Sequence, residues 1–231
     1  MKYIKKILLI FLMFQSCLLY GEIDFDKINS IFSDANKLYE EGDYFEANNL
    51  YRNIASSNII SKDLYYNIAT SYAELGSNGH AILWYERALN ISPFDKEIKN
   101  NIELFNPNSL SNPKYNQSIL IIIFYLTLFL FIIFFTILII LFIKKRKIYY
   151  LLIILSVLFI IQALISYNLI NADYLIVVSR TNLYRGESER TEIISIPYEG
   201  EKFRILEEYS NWYHVKGSFK GWINKSFAEK I

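Results

Sequence analysis

One cysteine, Cys17, stands in a chain of 231 residues. It rules out an intramolecular disulfide and a thiolate metal cage. Histidine is nearly as scarce: His80 and His214 are the only two, and neither has a second histidine or a cysteine at ligand spacing. His80 falls at the start of a helix expected to face solvent, and His214 sits on a strand. The chain has no Gly-rich phosphate loop, no G-x-S-x-G and no H-E-x-x-H. Charge is absent from residues 119–143 and 148–167, which removes any proton or ion path through them. Nothing here reads as catalytic. The sequence predicts a protein that is not an enzyme and uses neither metal nor cofactor.

The two uncharged runs are rich in Ile, Leu and Phe and flank Lys144, Lys145, Arg146 and Lys147. A spanning helix needs roughly 20 apolar residues, and lipid offers the backbone no partner, so such runs become helices. The expectation is a two-helix transmembrane hairpin, with helices over 118–143 and 148–170. The four cations at 144–147 would be held on the cytoplasmic side. Both flanking modules would then lie outside the cytoplasm, anchored to the inner membrane and its lipid bilayer. Lys2, Lys5 and Lys6 ahead of an apolar 7–14 give residues 1–21 the layout of a signal peptide. Cleavage after Gly21, lipidation at Cys17 and retention as an anchor all remain open. Ser156 and Gln162 are the most polar groups of the second run and suit hydrogen bonding across a helix pair.

The overall charge of +1 hides an asymmetry: residues 22–105 carry seven Lys and Arg against fourteen Asp and Glu. That surface repels nucleic acid, which is excluded as a partner of this half. Written at an offset of 34, residues 28–61 and 62–95 fall into register. Ala35 meets Ala69, Gly42 meets Gly76, Ala47 meets Ala81, and Tyr51 meets Tyr85. The period is that of a tetratricopeptide repeat. The alanines suit helix crossings, the glycines left-handed helix ends, and Pro93 a closing position. Ile98, Ile102 and Phe105 at helical spacing make 96–105 a capping helix. Residues 106–117, rich in Asn, Ser and Pro, read as a linker.

The resemblance to tetratricopeptide repeats implies a concave, protein-binding groove. Carried over, its facing residues are Phe32, Asn36 and Tyr39, then Asp63, Tyr66, Asn67, Thr70 and Glu74. Exposed aromatics in a groove are candidate anchors. The alternative is that Phe32 and Tyr66 pack against residues 22–27. Asn36 and Asn67 match the asparagines with which peptide-clamping members grip a ligand backbone. The basic positions that would hold a ligand carboxylate carry Phe32, Glu97 and Asn101 instead.

From Tyr174 onward the helical period disappears. Residues 174–178, 193–196, 202–209, 211–216 and 220–223 read as strands, and short strands at close spacing suggest a small barrel. Asn182-Leu183-Tyr184-Arg185-Gly186-Glu187-Ser188, Asn211-Trp212-Tyr213-His214-Val215 and Gly221-Trp222-Ile223 resemble segments of bacterial SH3-type domains. That resemblance implies an SH3-like domain over 172–231. Its candidate ligand face is Tyr184, Trp212 and Tyr213, with Trp222 expected in the core.

The fold expected is therefore multi-domain: an all-α tetratricopeptide solenoid, a two-helix transmembrane hairpin and an all-β SH3-like barrel. This order resembles the BatE-like proteins of the bacterial Bat aerotolerance group, most closely over residues 64–68 and 79–89. The resemblance implies a non-enzymatic envelope adaptor. It would work with von Willebrand A-type membrane proteins and a MoxR-type ATPase in stress tolerance or complex assembly. The alternative is an envelope sensor that binds peptidoglycan through the SH3-type domain.

Overall fold

Ile28, Ile31, Phe32, Ala35, Leu38 and Tyr39 recur at three- and four-residue spacing. They form the inner stripe of the first helix, α1 (Phe25–Glu40). Gly42 ends it with φ +85°. Its N–H meets the Tyr39 carbonyl and the Asp43 N–H the Leu38 carbonyl, the paired bonds of a Schellman turn. Asp43 then caps α2 (Tyr44–Ser56) by accepting from the Glu46 N–H at 3.2 Å. The same device closes α3 (Lys62–Glu74) at Gly76, φ +73°, before α4 (Asn78–Ile91). The fifth helix, α5 (Lys96–Phe105), is started by Asp95, whose Oδ1 accepts from the Glu97 and Ile98 N–H groups. Ala35, Ala47, Ala69, Ala81 and Ala88 are fully buried where helices approach one another. Buried Asn48 is satisfied by the Ile68 carbonyl and the Ser71 hydroxyl.

The structure is a computed structural model that describes residues 25–105, 117–144, 149–170 and 172–231. The expected signal peptide, Lys145 to Lys147 and nearly all of the expected linker lie outside those residues. Two apolar helices follow the helical layer, α6 (Gln117–Ile143) and α7 (Tyr149–Ile170). They touch through Phe134 and Phe159, whose ring centroids are 5.4 Å apart.

Seven strands complete the described chain: β1 (Tyr174–Val177), β2 (Leu183–Tyr184), β3 (Ile193–Ser195), β4 (Lys202–Tyr209), β5 (Trp212–Lys216), β6 (Lys220–Asn224) and β7 (Ala228–Lys230). Every pairing is antiparallel, in the order β3-β2-β6-β5-β4-β1-β7. The sheet core is Leu175, Val177, Leu183, Phe203, Tyr213, Val215, Ile223 and Ala228.

Helices and sheet are joined along α4. Its Ala81, Tyr85 and Ala88 pack within the helical layer. The opposite side, Ile82 and Leu83, shares a buried cluster with Ile176 and Val178 of the sheet. Gly79 makes the approach close: a Cβ there would stand 2.5 Å from the Val178 carbonyl oxygen. Gly200 packs so tightly on the Ile82 side chain that a Cβ would overlap it. Around this apolar patch Lys202 Nζ meets Glu86 Oε2 at 2.7 Å, both side chains being largely buried. Arg87 donates to the Lys230 carbonyl at 2.7 Å and lies over the Trp84 ring, so it covers part of the β7 edge. His80 stacks on Tyr72 at 4.9 Å, and burial lowers its pKa despite Glu229 nearby.

These contacts correct the expected fold class. The described chain is a mixed α/β fold of seven helices and one open antiparallel sheet, in place of a separate all-α tetratricopeptide solenoid and all-β SH3-like barrel. The sheet stays open because its end strands, β3 and β7, are three residues long and each pairs on one side only. The two-helix transmembrane hairpin is corrected as well. Among the described residues, one helix, Ile121–Ile143, is long and apolar enough to cross a membrane, judged by length and composition. Ile153–Tyr167, within α7, counts among the shorter apolar helices.

Gly79→Ala tests the seam. The clash is with backbone atoms, and the site lies in the first turn of α4, where alanine gains little as a helix former. A loss of about 1–3 kcal/mol is expected from overpacking, read by chemical denaturation. Unchanged stability would show that the two layers are not in tight contact.

Candidate protein-docking site

The odd-numbered helices of the layer present a common face. On α1 it comprises Phe32, Asn36 and Tyr39; on α3, Asp63, Tyr66, Asn67, Thr70 and Glu74. All of these are half-buried except Asp63 and Glu74, which are exposed. Asn36 is the junction: its Oδ1 accepts from the Tyr51 hydroxyl at 2.6 Å and from Asn67 Nδ2 at 3.2 Å. Phe32 leans on Tyr51 with ring centroids 5.6 Å apart. Tyr39 meets Tyr44 edge-on at 5.1 Å, and Thr70 and Glu74 lie beside its phenol. Thr70 donates to the Asn67 carbonyl at 3.1 Å. Asp63 stands at the rim, held by Lys62 at 3.0 Å, and Lys62 also reaches Asp95.

α5 extends this face. The Tyr66 hydroxyl donates to Glu97 Oε1 at 2.6 Å and accepts from Asn101 Nδ2 at 3.2 Å. Tyr66 meets Tyr85 at 5.6 Å, and Tyr85 stacks on Phe105 at 6.4 Å. Two chains of contacts result, one through Phe32, Tyr51, Asn36 and Asn67, the other through Glu97, Tyr66, Tyr85 and Phe105. Glu97 and Asn101, which stand where clamping members carry basic residues, join the predicted groove residues here through Tyr66. The offset of 34 locates them, since Glu97 follows Asp63 and Asn101 follows Asn67 by one more period.

The second predicted face is reorganised. Tyr184 and Tyr213 are 8% and 9% exposed, so neither offers a stacking surface. Trp212 remains half-buried and meets Tyr184 edge-on at 5.7 Å. Trp222, expected in the core, is half-buried and lies flat on His214 at 4.5 Å. His214 Nδ1 faces Glu207 at 3.5 Å without hydrogen-bond geometry. Trp222 alternates with the inward-pointing Gly221 and Ile223 along β6, which puts it on the outer face of the strand. A small pocket at the seam is lined by Asn90, Asp173, Tyr174, Lys202 and Lys230. Among the described residues no group of His, Cys, Asp and Glu could hold a metal ion. Comparison with protein-family models and with curated proteins finds no match.

Burial pushes the Tyr51 and Tyr66 phenols up to about 12 and raises Tyr85 as well. For Tyr66 the hydrogen bond to Glu97 acts in the same direction. Folded values above the ordinary phenol favour the fold below about pH 10. That contribution is lost as pH rises through about 12. An alkaline titration followed at the phenolate absorbance is expected to show a late class of tyrosines, with Tyr66→Phe removing one member. Complete ionisation by about pH 10.5, with the fold intact, would contradict the buried hydroxyl network.

Proposed function

We propose that the chain is a non-enzymatic, membrane-anchored adaptor that binds a partner protein across the face formed by α1, α3 and α5. The observation that carries this reading is the two chains of contacts there. They hold Phe32 and Tyr66 in fixed orientations, and Tyr44 meets Tyr39 edge-on beside them, while part of each ring stays open. Pre-oriented aromatics with amides between them suit a peptide or a partner helix, because little side-chain freedom is left to lose on binding. The apolar helix Ile121–Ile143 supports attachment to the membrane. The helical layer and sheet share a core, so the two are assigned to one soluble body.

The resemblance to BatE-like proteins supplies the setting of this proposal. The partners are von Willebrand A-type membrane proteins, within a MoxR-linked system for envelope stress or complex assembly. Peptidoglycan binding through Tyr184, Trp212 and Tyr213 has less support, since two of those three rings are buried.

Co-purification from native membranes after mild crosslinking tests the proposal, wild type beside a Phe32→Ala/Tyr66→Ala double variant. The expected outcome is that wild type brings down von Willebrand A-type membrane proteins and the double variant, with unchanged circular dichroism, does not. Equal recovery by both would place docking elsewhere and overturn the proposal.

A further inference from the structure

Four phenols occupy or underlie the docking face: Tyr39, Tyr51, Tyr66 and Tyr85. The charged groups that act on them are Glu40, Glu74 and Glu97. No Lys or Arg is among these. The contrast is with Tyr72, whose phenol feels Arg52 and Arg87. Several cations of the helical layer are engaged away from the phenols. Lys37 lies 3.8 Å from Glu41, Arg87 binds the sheet and Lys99 lies over Phe94, while Lys62 pairs with Asp63 and Asp95 at the rim of the face.

Helix ends reinforce the sign. α1 closes on Glu40 and α3 on Glu74, so two carboxylates sit where the helix dipoles already place partial negative charge. Glu97 at the start of α5 fixes the Tyr66 ring through a 2.6 Å hydrogen bond. Tyr39 and Tyr66 are half-buried with neutral phenols, and electron-rich rings that stay partly open attract ammonium and guanidinium groups.

Resting on the docking reading above, we infer that this face is selective for charge: it takes an extended segment of a partner protein that bears Lys or Arg. The rings hold the cationic heads, the carboxylates set sign and encounter rate, and Asn36 and Asn67 lie between them. An acidic segment is repelled.

The test uses the full chain in a neutral detergent, with labelled twelve-residue peptides of alternating Gly-Arg-Gly-Lys and of Gly-Glu-Gly-Glu, followed by fluorescence anisotropy. The basic peptide is expected to bind and to weaken with salt. Its affinity should fall about tenfold in a Glu74→Gln/Glu97→Gln variant, two carboxylates being lost. The acidic peptide should not bind. Equal binding of both peptides, binding of neither, or undiminished affinity in the Gln variant overturns the inference. Membrane co-purification separates the two claims. If the Gln variant keeps its partners while Phe32→Ala/Tyr66→Ala loses them, docking stands and charge selection fails. If neither variant loses partners, the docking reading fails and this inference with it.

Discussion

The close approach of α4 to the sheet is the constraint on which the rest of the fold depends. A helix that packs on one side only can drift along its neighbours; α4 is fixed on two. Ala81, Tyr85 and Ala88 hold it to α3 and α5, while Gly79, Ile82 and Leu83 hold it to β1 and the turn at Gly200. Glycine at 79 sets how near the two layers come, because any side chain there would meet the Val178 backbone. The buried Glu86–Lys202 pair and the Arg87 bond to Lys230 then fix rotation about that contact. Replacing one partner of such a buried pair would leave an uncompensated charge, so these groups specify the arrangement more than they stabilise it.

The docking face inherits its shape from this constraint. Tyr85 projects from the inner side of α4 against Tyr66 and Phe105, so the position of α4 sets where the α3 and α5 side chains converge. Asn36, Tyr51 and Asn67 tie α1 and α2 to the same surface. A partner segment lying across α1, α3 and α5 would therefore touch groups whose spacing the sheet fixes from behind. In the sheet, Tyr184 and Tyr213 are turned inward and serve packing.

Local structure was legible in the sequence wherever a residue's neighbours along the chain decide its conformation. Gly42 and Gly76 mark left-handed helix ends, 96–105 is a helix because Ile98, Ile102 and Phe105 share a face, and strands such as 202–209 follow from β-branched and aromatic content. What required the whole fold stayed hidden. Ile82, Leu83 and His80 read as parts of a helix with one solvent-facing side, although an apolar run from Ala81 to Tyr85 already implies burial all round. Its partner lies more than ninety residues away at Ile176 and Val178, and no local pattern marks such a pairing. Strand content likewise could not tell a closed barrel from an open sheet, since that depends on whether β3 meets β7. The groove positions came from repeat spacing, which reaches Glu97 and Asn101 but does not reveal their hydrogen bonds to Tyr66.

Native-state hydrogen exchange on wild type and Ile82→Ala tests the central claim most directly, because Ile82 touches the seam and leaves the docking face untouched. If α4 joins the layers into one cooperative body, the substitution accelerates exchange in β1 and β7 together with α4 by a similar factor. Acceleration confined to the helices, with β1 and β7 amides unchanged, would show that the sheet folds and opens independently and would contradict the account.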